Sequence, residues 1–174
     1  MTTYPSIGGG DDITADLLAS MQQMFAVKSS ATTRTSTTTL ANDPELTLTL
    51  AANSKYFVEF FLYYGAINAE KFKTAWAVPS GVTGTRSTLG PGSSADQSSV
   101  DNISMRTGAH LYTTAATYGT RDDNTGPCFA YETSIVITGA SSGTLAVQWA
   151  QSTSGSTGTA LFEGSFLRVT RLAG

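Results

Sequence analysis

Gly143-Thr-Leu-Ala-Val-Gln-Trp-Ala-Gln151, a Ser/Thr/Gly turn, and then Thr159-Ala-Leu-Phe-Glu-Gly-Ser-Phe-Leu-Arg-Val-Thr-Arg-Leu172 run almost to the last residue. Side chains of an extended strand point alternately to its two sides. Leu145, Val147 and Trp149 therefore share one side of the first segment, and Leu161, Leu167 and Val169 repeat the pattern after the turn. The two segments read as a β-hairpin with one buried face.

Upstream, the pattern continues. Leu46, Leu48 and Leu50 alternate with Thr47 and Thr49, a half-buried strand. Lys55-Tyr-Phe-Val-Glu-Phe-Phe-Leu-Tyr-Tyr64 is apolar on both sides and needs cover from two directions. Further strands are expected over residues 25–28, 72–78, 102–107 and 110–118, with 31–39 a Thr-rich edge. Phe129, Tyr131, Thr133, Ile135 and Ile137 mark another. Asn42-Asp-Pro-Glu45 reads as a turn, because Asp starts turns and proline fixes φ at the next position. Residues 79–101 read as a long polar connection and residues 121–127 as a second exposed loop. About eight strands at this spacing, with no helix between them to build parallel crossovers, predict an antiparallel sandwich.

Composition agrees. Ser and Thr make up more than a quarter of the 174 residues, while charged residues are only 13%. Thr fits the pleated surface of a strand, and Ser and Gly fit turns. The surface expected is neutral and hydroxyl-rich, suited to outward-facing or self-assembling proteins. The net charge of −3 and the scattered 10 basic residues argue against nucleic acid. No apolar run reaches the ~18–20 residues of a membrane-spanning helix. The first residues lack both the charge and the apolar stretch of a signal peptide, so synthesis in a cytoplasm is expected.

Residues 1–10 read as a flexible arm ending in Gly8-Gly9-Gly10. Asp11 and Asp12 supply capping charge for a short helix over 13–24, with Ile13, Leu17, Met21 and Met24 on one face. Twelve residues are marginal in isolation, so this helix must dock. It either caps its own sandwich or, with the arm, attaches the protein to a larger assembly. Candidate attachment residues are Tyr4, Pro5, Ile7, Ile13, Leu17 and Met21.

Catalytic chemistry is poorly represented. His110 is the one histidine, and no Gly-x-Ser-x-Gly nucleophile turn accompanies it. Cys128 is the one cysteine, which excludes an internal disulfide and a Cys-based zinc site and reads as a buried small hydrophobe. Asp122, Asp123 and Asn124 match no calcium loop and read as a solvated turn. No cofactor or metal is expected. Glu59 and Glu132 lie within apolar strands, where each either meets an arginine or faces solvent. Trp76, Tyr112 and Tyr118, with the two loops, offer a possible aromatic platform for a receptor or glycan.

The last strand has a second side. Phe162 and Phe166 share it with Arg168 and Thr170. Leaving two phenylalanines in water forgoes about 1.5–3 kcal/mol each. An identical subunit is a ready source of cover, so Phe162, Phe166 and Arg168 are the candidate interface residues.

Thr159-x-Leu-x-x-Gly-Ser-x-Leu-x-Val-x-Arg171, after Gly143-Thr-Leu-x-x-Gln-x-Ala150, resembles the last two strands of C1q/TNF-like jelly-rolls. More broadly, residues 12–173 resemble small proteins of actinobacterial phages and prophages. The segments that carry this are Ile13-Thr-Ala-Asp-Leu-Leu18, Thr37-Thr-Thr-Leu-Ala-Asn-Asp-Pro-Glu-Leu46, Lys73-Thr-Ala-Trp-Ala-Val-Pro79 and Phe166-Leu-Arg-Val-Thr-Arg-Leu172. The resemblance implies an all-β, antiparallel jelly-roll sandwich over 29–174, preceded by the arm and helix of 1–28. It also implies a homotrimer with its closing strand in the subunit-facing sheet. The expected role is a non-enzymatic virion protein, a capsid decoration bound to the major capsid protein or another virion component. The alternative is a tail-fibre or host-surface glycan-binding module.

Overall fold

The computed structural model describes residues 7–93 and 105–173. One short helix, α1 (Ala15–Ser20), precedes twelve strands. These are β1 (Met24–Val27), β2 (Thr32–Arg34), β3 (Ala41–Leu50), β4 (Lys55–Ala66), β5 (Phe72–Ala77) and β6 (Thr85–Pro91). They continue as β7 (Met105–Leu111), β8 (Ala116–Tyr118), β9 (Asp123–Ile137), β10 (Gly143–Gln151), β11 (Thr159–Leu161) and β12 (Phe166–Ala173). The large sheet runs β1-β12-β4-β9-β6-β7, with β11 joining β2 to β4, and the small sheet runs β3-β10-β5-β8. The chain changes sheet at β2 to β3, β3 to β4, β4 to β5, β5 to β6, β7 to β8, β8 to β9, β9 to β10 and β10 to β11. That alternation between two antiparallel layers is the jelly-roll order, with the β6–β7 hairpin added to one edge.

The closing segments are therefore not a hairpin. β10 pairs with β3 and β5, while β12 pairs with β1 and β4 in the other layer. Alternation reveals which residues share a side, and Leu145, Val147, Trp149, Leu161, Leu167 and Val169 are all fully buried. They meet across the core instead of side by side. The inward side of β4 (Tyr56, Val58, Phe60, Leu62 and Tyr64) fills the same core against Phe72, Trp76 and Trp149. Each such burial is worth about 1.5–3 kcal/mol. Phe60 meets Trp76 edge-on at 4.9 Å, and Tyr64 stacks on Phe72 at 4.3 Å.

Other expectations change too, the 121–127 loop among them, since β9 begins at Asp123. The 79–101 connection contains β6, whose inward residues are Arg86 and Thr88, so the apolar period that marks a strand is missing. Asn42-Asp-Pro-Glu45 lies inside β3, where the ladder to β10 shifts register. The turn chemistry is used for a bulge: Asp43 accepts the N–H groups of Glu45 and Leu46, Lys28 Nζ at 3.0 Å and Trp149 Nε1 at 3.1 Å. The helix spans 15–20 instead of 13–24, because the chain is already extended at Met24, opposite Val169. Thr14, not Asp11 or Asp12, caps it through its hydroxyl to the Leu17 N–H. Residues 24–27, within the 1–28 segment, belong to the large sheet.

Gly65 sits where β4 shifts register against β9. A Cβ there would lie 2.3 Å from the Asn124 carbonyl oxygen and 2.7 Å from Phe162 Cζ. Gly65→Ala is expected to cost about 1–3 kcal/mol, as overpacking does, read as a lower urea midpoint at unchanged slope.

Candidate subunit interface

Antiparallel partners that face each other across a ladder share one side of the sheet. On the outer side of the large sheet one row runs Val27, Phe166, Phe61, Tyr131, Leu89 across five strands. The next runs Phe25, Arg168, Glu59, Thr133, Ser87, and a third brings Thr170, Phe57 and Ile135 together. Phe61 stacks between Phe166, at 5.6 Å, and Phe129, at 6.0 Å. The result is a surface rich in aromatic and branched side chains.

Exposure is distributed unevenly. Among the described residues, the exposed large apolar side chains fall in two places. Ile7, Ile13, Leu18 and Met21 lie on the arm and helix, and Phe25, Val27, Tyr63, Met105, Leu111, Phe129, Ile135, Ile137 and Leu172 lie on strands of the large sheet. The outer side of the small sheet carries Thr47, Thr49, Thr144, Gln148, Lys73 and Thr117 instead. One side of the sandwich is greasy and the other is neutral and hydroxylated. Contiguous apolar patches of this kind mark interaction surfaces.

Phe166 and Arg168 stand on the greasy side, both half-buried. Phe162 is half-buried as well, with its ring packed over Gly65 and its N–H donating to the Tyr63 carbonyl. Three members that are at least half exposed, Phe25 at 53%, Ile135 at 50% and Ile137 at 55%, were not candidates from sequence. In β9 the apolar alternation points outward, while Ala130, Glu132, Ser134 and Val136 face the core. Glu132 faces inward because Arg86 of β6 meets it there, a long-range partner that the strand's own pattern does not show. Of the candidate attachment residues, Ile7, Ile13 and Met21 are about half exposed or more, and Leu17 is half-buried. Tyr4 and Pro5 lie outside the described residues.

At the centre of the greasy side is one polar group. Glu59, nearly covered, accepts from Arg168 Nε at one carboxylate oxygen and from the Tyr131 hydroxyl at the other. The Arg168 guanidinium holds the Glu59 carboxyl below its usual range, against a smaller opposing push from burial. Burial, with Glu59 adding to it, raises the Tyr131 phenol to about 12. A carboxyl depressed on folding stabilises above its unfolded pKa of about 4.3 and loses that contribution as acid protonates it. A phenol raised on folding stabilises below about 10 and loses that contribution as pH climbs through its folded value. Stability is expected to be flat from about pH 5 to pH 9, falling on the acid side with Glu59 and on the alkaline side with Tyr131. Thermal melts of wild type and Glu59→Gln from about pH 2.5 to about pH 11 check it, since the variant should lose the acid limb that Glu59 supplies.

The other polar features are structural. Glu132, fully buried, accepts from Arg86 Nε at 2.8 Å, Trp76 Nε1 at 2.6 Å, the Tyr118 hydroxyl at 2.6 Å and the Thr74 hydroxyl. Both central-strand glutamates thus meet an arginine. Trp76, Tyr112 and Tyr118 are buried at 3% exposure or less and form no surface platform. Asp122 and Asp123 accept N–H groups of Asn68 and Thr125, and no cluster of three metal-ligating side chains occurs among the described residues. His110 is half-buried on β7, opposite Arg86. A shallow apolar pocket of about 150 Å³ is lined by Val78, Val82, Leu111 and Tyr112, and the Tyr112 hydroxyl is engaged by Ser134.

No family model matches the chain, and no curated protein matches it. Among solved structures it is similar to the tripod (BppUct-A-L) from the baseplate of bacteriophage Tuc2009, at 13% identity and a TM-score of 0.38, covering 100% of this chain and 76% of that one. It is also similar to the VP2 subviral particle of infectious bursal disease virus, at 8% identity and a TM-score of 0.22, covering 87% of this chain and 40% of that one. Both neighbours are components of virus particles.

Proposed function

We propose that this protein is a non-enzymatic structural subunit of a virion, a homotrimer closed through the outer side of its large sheet. The observation that carries self-assembly is the sorting of exposed apolar side chains onto that one side, with threonines and glutamine on the other. A second copy covers this apolar side, at whose centre Glu59 and Arg168 are paired with each other. The virion setting rests on the phage-like sequence segments. Capsid decoration is the role proposed, and a tail-fibre tip is the alternative.

The exposed apolar residues of the arm and α1 supply a separate contact, to the major capsid protein or another virion component. Sedimentation of the purified protein is expected to give three times the 18.2 kDa chain mass. A monomer at micromolar concentration would overturn the assembly reading. Deleting residues 1–12 is expected to leave the trimer intact and abolish binding to particles; retained binding would move the anchor elsewhere.

A further inference from the structure

We infer that Arg168 is shared between subunits, its Nε held by Glu59 of the same chain and its two terminal nitrogens donating to a second copy of this protein. The inference rests on the self-assembly reading and adds the contact that orients one copy on another.

A guanidinium carries five N–H donors in a rigid fork. Arg168 spends one of them, at Nε, on Glu59, and no described residue accepts from its terminal nitrogens. In the free subunit its side chain is 38% exposed, so water serves those donors. Covering the surrounding Phe25, Phe61, Phe166 and Ile135 with another apolar surface removes that water. Four N–H groups left without acceptors in a dry contact would cost more than the contact gains, so the covering surface must bring an acceptor to that point.

A second copy does so by self-complementarity. Its own face offers, around the same point, the Tyr131 hydroxyl oxygen and the remaining lone pairs of Glu59. Tyr131 gives its proton to Glu59, which leaves its oxygen as an acceptor. One cation and one anion per copy keep the pooled charge at the contact neutral. A purely apolar face permits many relative orientations, and one directional polar contact in its middle selects among them.

Arg168→Lys separates the two roles of the side chain. Lysine retains the charge for Glu59 but not the fork. The expected result is a self-dissociation constant at least about tenfold weaker by sedimentation equilibrium, the range for hydrogen bonds to charged groups, with the melting temperature of the dissociated subunit unchanged. An association constant equal to wild type, in a protein that still assembles, overturns the inference and leaves the assembly reading standing. A wild-type monomer overturns both. A second measurement needs no variant: in 15N spectra of the wild-type protein, the Arg168 terminal N–H signals are expected to be protected from exchange at assembling concentrations and to lose protection on dilution. Signals that exchange equally fast at both concentrations overturn the inference.

Discussion

Glu132→Ala is expected to destabilise the fold by about 3–5 kcal/mol, the cost of leaving a buried charge without its partner. For a domain of this size that is a fall in Tm on the order of 10 °C. Arg86, fully buried, would lose the carboxylate at its Nε, and Trp76, Tyr118 and Thr74 would each lose an acceptor. Removing both charges does not rescue it. Replacing an isolated buried pair by apolar groups is often neutral, but Arg86 also donates to the carbonyls of Thr74, Leu111, Tyr112 and Thr114. Arg86→Met combined with Glu132→Leu takes a donor from all four carbonyls, of which those of Leu111 and Tyr112 keep a backbone N–H, so the double variant is expected to be no more stable than Glu132→Ala. Chemical denaturation of the two variants checks it, and a double variant near wild-type stability would show that the staple is replaceable by packing.

Ile135→Arg is expected to convert the assembly to monomers without unfolding them. Ile135 stands 50% exposed in the single subunit, so a charge there changes folding by no more than about 0.5 kcal/mol. In the assembled contact the same charge is desolvated without a partner, which costs several kcal/mol and weakens association by a hundredfold or more. Thr49→Arg, on the outer side of the small sheet, is the matched control and is expected to assemble normally. Size-exclusion chromatography with light scattering separates the outcomes. Dissociation by Thr49→Arg and not by Ile135→Arg would put the contact on the opposite layer.

The sandwich was legible in the chain because its core strands obey a period of two. Leu46 and Leu50 of β3, the inward side of β4 and the buried sides of β10 and β12 are all where alternation puts them. Alternation assigns a residue to a side and says nothing about which strand lies next to it, so β10 and β12 read as neighbours although they face each other across the core. β6 was hidden because its inward residues are Arg86 and Thr88, which are buried only through long-range partners on β7, β9 and the loop beyond β7. Asp43-Pro44 carried turn chemistry into a bulge.

The exposed apolar side was half legible for a related reason. Phe166 stood out because the other side of its strand was already filled by Leu167 and Val169. Phe25 and Ile135 gave no such contrast. In β9 the larger apolar residues take the outward positions and Glu132 and Ser134 the inward ones, so hydrophobicity alone points the wrong way. Only the position of Arg86 in space makes Glu132 an interior residue.

The threonine-clad back of the sandwich bears on behaviour at the scale of a whole coat. In the proposed assembly, with the aromatic layer closed off between copies, the side turned to the medium would offer mainly hydroxyls, amides and methyl groups, with Lys73 among its few charges. Particles covered in it would repel one another by hydration more than by electrostatics. Their dispersal would then change little between dilute buffer and brine, whereas a highly charged coat would be screened and clump.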